Sequence, residues 1–118
     1  MCIFCKIVNN EIPSNKVLEN DEFLAFHDIN PKAPIHVLII PKKHIESFHE
    51  VDKETMAKMT PFIQEVAKLL CIDKSGYRLV TNIGKDGGQE VFHLHFHLLG
   101  GGKLRWDHKS DANPQKNI

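Results

Sequence analysis

Residues 88 to 102 read GQEVFHLHFHLLGGG, in which His93, His95 and His97 alternate with Leu94, Phe96 and Leu98. A β-strand sends successive side chains to opposite faces. The alternation therefore predicts one buried apolar face and one face carrying three imidazoles, roughly 6 to 7 Å apart. Imidazole changes charge near neutral pH and serves as base, nucleophile or metal ligand. A lone histidine is usually structural, but three on one strand face, beside glycines that free backbone N–H groups, point to chemistry. Two chemistries fit. The imidazoles can bind a catalytic metal, or one of them can attack an anionic group held by the glycine-flanked backbone. Spacing alone does not choose between them.

A second group of chemical side chains opens the chain at Cys2-Ile3-Phe4-Cys5. A CxxC pair can be a redox motif, half a zinc site, or coincidence. The redox motif expects a preceding strand, and only Met1 precedes it; a zinc site needs two more ligands from elsewhere. By themselves Asp28 reads as a turn or capping residue, and Cys71, after two leucines, as a buried small hydrophobe. His49, His108 and the pair Lys42-Lys43 read as solvated surface.

The elements that must carry these residues follow from periodicity and punctuation. Phe4 to Asn9 reads as a short helix ended by Asn9-Asn10 and Pro13. Lys16 to Glu19 and Glu22 to His27 read as strands joined at Asn20-Asp21. Asn30 to Pro34 is a loop, and His36 to Pro41 an apolar strand expected at the sheet centre with a helix on one face. Met56, Met59, Phe62 or Ile63, Val66 and Leu69 or Leu70 recur at helical spacing over Asp52 to Leu70, with Asp52 as N-cap. That stripe is core, and Pro61 should kink the helix or start a second one. Tyr77 to Ile83 is a further strand before the turn that leads to the histidines. The sum is an α+β domain with a mainly antiparallel sheet of about five strands, one long helix and a short N-terminal helix. Residues 1 to 118 form one domain, with 107 to 118 a polar tail expected to be flexible.

Composition narrows the partners. At 118 residues the chain can bury a single core without disulfides, and its 42% hydrophobic and 25% charged fractions suit an ordinary globular protein. Fifteen basic residues balance fifteen acidic ones, so no excess field favours a nucleic-acid polymer or an anionic membrane. No stretch reads as a signal peptide or membrane span, and three cysteines is an odd count; a cytoplasmic setting is expected.

The larger pattern resembles a known family. HLHFHLL fits the His-x-His-x-His signature, followed by two apolar residues, of histidine triad proteins. AFHDINPKAPIHVLIIPKKH (25 to 44), GYRLVTN (76 to 82) and DGGQEVFHLHFHLLGG (86 to 101) are similar to the Hint-type nucleoside phosphoramidases. With IFCKI and EIP the resemblance covers residues 2 to about 106. It implies that Asp28 accepts hydrogen bonds from the ribose hydroxyls. It also implies a base pocket walled by Phe26, His27, Ile29, Phe4, Ile7 and Leu38. Asn82, Gly88, Gln89, Glu90 and Val91 fall on the phosphate side, and His36 supports the triad through hydrogen bonds. Glu90 stands where animal members have a serine, and a carboxylate cannot donate as a hydroxyl does. Bacterial relatives hold a structural zinc with residues matching Cys2, Cys5, His44 and His93, a closed Cys₂His₂ site. Trp106 matches a tryptophan near the carboxyl-terminal tail, which in the family approaches the partner subunit's active site.

The resemblance also implies a homodimer that binds a purine nucleotide, AMP or an AMP conjugate, with no organic cofactor. The expected reaction is hydrolysis of a nucleoside 5′-phosphoramidate. His95 is the nucleophile, and His97 with the backbone near Gly88 stabilises the phosphoryl oxygens. A backbone carbonyl near His36 or on the triad strand would fix the His95 tautomer. The alternatives are a dinucleoside polyphosphate hydrolase of the same superfamily, a nucleotide-binding interaction module with little turnover, and, least favoured, metal-dependent hydrolysis through the triad.

Overall fold

The computed structural model describes residues 2 to 105; Trp106, His108 and the expected tail lie outside them. Helix α1 (Ile3–Val8) leads into strands β1 (Lys16–Glu19), β2 (Phe23–His27) and β3 (Ile35–Pro41). Helix α2 (Lys53–Leu69) then connects to β4 (Arg78–Val80) and β5 (Phe96–Gly100). The sheet is antiparallel throughout in the order β1-β2-β3-β5-β4. The expected α+β architecture is thus present, with the apolar strand β3 at its centre.

Local chemistry accounts for the boundaries. Asn20 Oδ1 accepts the backbone N–H groups of Glu22 and Phe23 and closes the β1–β2 turn. Asp52 caps α2, accepting from Thr55 N–H at 3.1 Å and from the Thr55 hydroxyl at 2.6 Å. Such a cap contributes about 1 kcal/mol. Glu19, held by side-chain bonds from Lys42 and then Lys16, has its carboxyl pulled below the usual range. Lys42 is therefore paired rather than simply solvated.

The two faces of the sheet bury separate clusters. Phe23, Ala25, Val37, Ile39, Phe96 and Leu98 meet Met59, Phe62, Ile63 and Val66 of α2 on one face. On the other, Leu24, Phe26, Leu38 and Ile40 meet Phe4 and Ile7 of α1. Burying each of Val37, Ile39 and Ile40 completely contributes roughly 1.5 to 3 kcal/mol.

Several expectations need correcting. Helix α2 is one helix from Lys53 to Leu69 with Pro61 inside it, so Pro61 does not start a second helix. Cys71 is exposed and adopts φ 59°, at the left-handed position that ends α2. There Cys71 N–H bonds Lys68 O and Ile72 N–H bonds Ala67 O, a Schellman ending that buries Ile72 in place of the cysteine. The strand predicted over Tyr77 to Ile83 narrows to Arg78–Val80. The triad stretch is strand only from Phe96; His93 lies in a bend before it, and Leu94 and His95 in irregular backbone. Its imidazole side is not open either: α1 covers it, so His93 and His95 are buried.

Candidate active site

The face covered by α1 forms a row across the sheet. Phe26 lies opposite Leu38, Leu38 opposite His97, and His97 opposite Val80. One row further along β3, His36 is opposite Leu99, and Leu99 opposite Arg78. These rows floor a cavity of about 1240 Å³. That exceeds the roughly 300 to 1,000 Å³ of ordinary small-molecule sites. Phe4, Ile7, Phe26 and Leu38 make an apolar end, with Asp28, His27 and Ile29 at its margin; Ile29 is 92% exposed and forms rim. His95 and His97 line it as well, together with Val80, Asn82, Gly88, Glu90 and Val91 and the cations Lys32 and Arg78. The Phe4 ring is edge-on to His95 at 5.0 Å and to Phe26 at 5.8 Å.

Hydrogen bonds settle what each imidazole can do. His95 Nδ1 is 2.8 Å from the carbonyl oxygen of His93, which can only accept, so Nδ1 carries the proton and Nε2 keeps its lone pair. Of the two anticipated sources of that carbonyl, the triad stretch supplies it. His36 Nδ1 accepts the backbone N–H of Lys32 at 3.0 Å, which puts the His36 proton on Nε2. From there it donates to His97 Nδ1 at 2.9 Å, leaving His97 with its own proton on Nε2. The chain Lys32–His36–His97 thus fixes His97 as a neutral donor through Nε2. Burial, then the neighbouring His95 and His36, pushes His97 down to about 4; burial likewise lowers His36, partly offset by Asp28. Both rings are neutral at pH 7.

Asp28 is held for a separate task. Its Oδ1 accepts Asn30 N–H at 2.8 Å, while Oδ2 is 3.5 Å from His36 Nε2. Asp28, His36 and His97 are close enough to surround a cation. The tautomer argues against it, because a metal on His36 Nε2 would have to expel a proton while Nδ1 still accepts from Lys32. The hydrogen-bond relay runs Lys32–His36–His97, with the Asp28 carboxylate beside it.

Cys2, Cys5, His44 and His93 form a second group, with all four donor atoms within 4.8 Å of one another. Cys2 Sγ is 3.2 Å from Cys5 Sγ and 3.3 Å from His93 Nδ1, and Cys5 Sγ is 3.3 Å from His44 Nδ1. A tetrahedral site with ordinary zinc bond lengths separates its donors by about 3.3 to 3.8 Å. His93 Nε2 donates to Pro41 O at 2.8 Å, which leaves Nδ1 unprotonated and facing the sulfurs. Burial lowers the His93 ring and, followed by the hydrogen bond and charge of Cys2, raises the Cys5 thiol. Cys2 also caps α1, its Sγ accepting Cys5 N–H. The donor set and geometry fit a closed Cys₂His₂ metal site.

Gln89 differs from its neighbours in the anticipated phosphate loop. It is buried and faces away from the cavity. Its amide oxygen accepts Gly84 N–H, and its nitrogen donates to Glu46 O at 2.7 Å and Val91 O at 3.1 Å. Gly88, at φ +84°, turns the chain beside it. Gln89 thereby fastens the loop that presents Gly88 and Glu90 to the cavity. Sequence reading missed Thr81, whose hydroxyl donates to His95 O at 2.8 Å, and also the Lys32 backbone, Val80 and Arg78. Period-2 alternation along the strand is the signal that could have put Arg78 and Val80 on one face; the Thr81 contact has no local signature.

Fold and site together define a small α+β domain in which a relay-held histidine pair faces a deep, half-apolar cavity. The family model described as the HIT domain matches residues 9–104, and the chain belongs to that family. The match begins after the Cys2–Cys5 pair. The chain is 55% identical over 103 residues to an uncharacterized HIT-like protein of Helicobacter pylori, covering 87% of this chain and 99% of that one. It is similar to the crystal structure of a HIT family hydrolase from Legionella pneumophila, with TM-score 0.86, 45% identity, and 91% and 98% of the two chains covered. A histidine triad protein from Clostridium difficile gives TM-score 0.84 at 49% identity, covering 89% and 94%.

Proposed function

We propose that the protein hydrolyses purine nucleoside 5′-phosphoramidates, AMP–amine conjugates, through a nucleotidyl intermediate on His95. The observation that carries this reading is the 2.8 Å bond from His95 Nδ1 to His93 O, which leaves Nε2 free beside His97 in the cavity. The lone pair of His95 Nε2 attacks the α-phosphorus and the P–N bond breaks. The departing nitrogen takes a proton from water and leaves as an amine. The His93 carbonyl stabilises the imidazolium that forms on His95. Water then attacks phosphorus, the bond to His95 breaks, a proton is lost and the nucleoside monophosphate is released. His97 Nε2–H donates to a phosphoryl oxygen, and because the relay holds the ring in place, little reorganisation accompanies the reaction.

Phe4, Ile7, Phe26 and Leu38 would enclose the base and Asp28 accept from the ribose hydroxyls, with His27 and Ile29 at the rim. Cys2, Cys5, His44 and His93 would hold a structural zinc that anchors α1, and with it Phe4, over the cavity. The hydrolase named among the solved neighbours supports the class of activity. A cytoplasmic setting belongs to this reading, because Cys2 and Cys5 serve as ligands only when reduced. So does a homodimer: β4 is a sheet edge among the described residues, with Tyr77 and Leu79 exposed beside it.

The test is single turnover of AMP–amine substrate, quenched at alkaline pH where phosphoryl-imidazoles survive, followed by peptide mass analysis. An adduct on His95 is expected, together with a loss of several orders of magnitude in turnover for His95→Ala. An adduct on His93 or His97 overturns the assignment. Faster cleavage of a diadenosine polyphosphate than of AMP–amine would move the activity to P–O–P bonds.

A further inference from the structure

Resting on that reading, the sheet order matches the length of the nucleotide. His95 leads into β5, which carries His97, and β3, β2 and β1 follow in turn. Three interstrand steps of about 4.8 Å span roughly 14 Å from β5 to β1. That is about the reach of a purine nucleotide from its phosphorus to the far edge of its base. With phosphorus at His95 and the base over Leu38 of β3 and Phe26 of β2, the far edge meets the chain just before β1. The β1–β2 pairing continues there past Lys16 and Phe26, since His27 N–H bonds Asn15 O at 2.9 Å. The next residue out, Ser14, lines the cavity at this end. Its hydroxyl is closed off from solvent and has no hydrogen-bond partner, alone among the buried side-chain nitrogens and oxygens of the described residues. An unpaired buried hydroxyl destabilises the fold, and such a group in a native wall calls for a partner. The nearby wall of Phe4, Ile7 and Ile12 is apolar and supplies none. Ser14 as a whole is only half-buried, so one staggered turn about its Cα–Cβ bond carries the oxygen toward the cavity.

We propose that Ser14 reads the 6-position of the purine, its hydroxyl finding on the bound base the partner that the free protein lacks. A hydroxyl both accepts and donates. It can therefore take a hydrogen from the amino group of adenine or give one to the carbonyl of guanine or hypoxanthine. Ser14 thus selects purines with a polar group at this position without choosing among them. One neutral hydrogen bond gained corresponds to about fivefold in affinity. Without nucleotide, the same hydroxyl lowers the stability of the protein.

The test titrates wild type and Ser14→Ala with AMP, IMP and purine riboside 5′-monophosphate, which carries only hydrogen at the 6-position. Calorimetry gives the affinities, and the melting temperature of each protein is measured without nucleotide. Wild type should bind AMP and IMP each about fivefold more tightly than the unsubstituted nucleotide. In Ser14→Ala the three affinities should converge, and the nucleotide-free melting temperature should rise because the unpaired hydroxyl is gone. Because each affinity ratio is internal to one protein, a general weakening of binding does not disturb the readout. Equal binding of all three by wild type, unchanged ratios in Ser14→Ala, or a lower melting temperature for that variant overturns the Ser14 assignment. Those results leave the phosphoramidase reading standing, since it concerns the phosphorus. No binding of any of the three by wild type overturns both.

Discussion

His36 Nε2 stands 2.9 Å from His97 Nδ1, joining β3 to β5 side chain to side chain beneath the cavity. The partner of His36 on its other nitrogen is a backbone N–H, so the ring cannot turn without leaving Lys32 unpaired. His36→Ala should therefore release His97 rather than remove a reacting group. Taking partners that orient metal-bound histidines as the guide, the loss should be on the order of tenfold to a hundredfold. The loss should fall on kcat, with AMP affinity little changed. Equal kcat in wild type and variant would show that His97 needs no relay.

Folding stability should rise with pH through the acid range. His97 sits at about 4 when folded against an ordinary value of 6.5, and His36 is lowered too. Between those values the unfolded chain binds more protons than the folded one. The stabilisation is fully present above pH 6.5 and is lost as pH falls toward 4. Urea unfolding at a series of pH values should show that slope, and His97→Gln should flatten it. A wild-type profile that is level from pH 7 to 4.5 contradicts the buried neutral rings.

Metal analysis of reduced protein should find about one zinc per chain, and Cys2→Ser with Cys5→Ser should lose it. The melting temperature should fall in that variant, because α1 is then attached only by its apolar contacts. Chelation should lower stability before it affects the chemical step. Zinc-free protein of undiminished stability would remove the metal from the account.

Cys71→Gly should stabilise the protein by about 0.5 to 1 kcal/mol, since glycine meets φ 59° without the Cβ penalty. Cys71→Val should destabilise it, because a β-branched residue tolerates that conformation less. Matched urea curves decide the matter, and no gain in the glycine variant would mean the Schellman ending is relaxed as it stands.

Much of the architecture is decided locally, and for that reason it could be read from the sequence. The Asp52 cap, the α2 stripe, the Asn20 turn and the apolar run of β3 involve residues within a few positions of one another, and all appear at nearly the expected places. The histidine spacing likewise located the cavity. What each histidine can do was decided only by tertiary structure, because a tautomer depends on whatever lies against each nitrogen. His95 and His36 take partners from nearby, His93 O and Lys32 N–H, but the others are far apart in sequence: Pro41 O for His93, His36 for His97, and Cys2 and Cys5 for the free nitrogen of His93. Cys71 and Gln89 make the same point. An apolar neighbourhood in sequence could not reveal that the chain would reverse at Cys71. Nor could a loop's composition reveal that the Gln89 amide would be spent on Glu46, forty-three residues away, with the cavity left to Glu90.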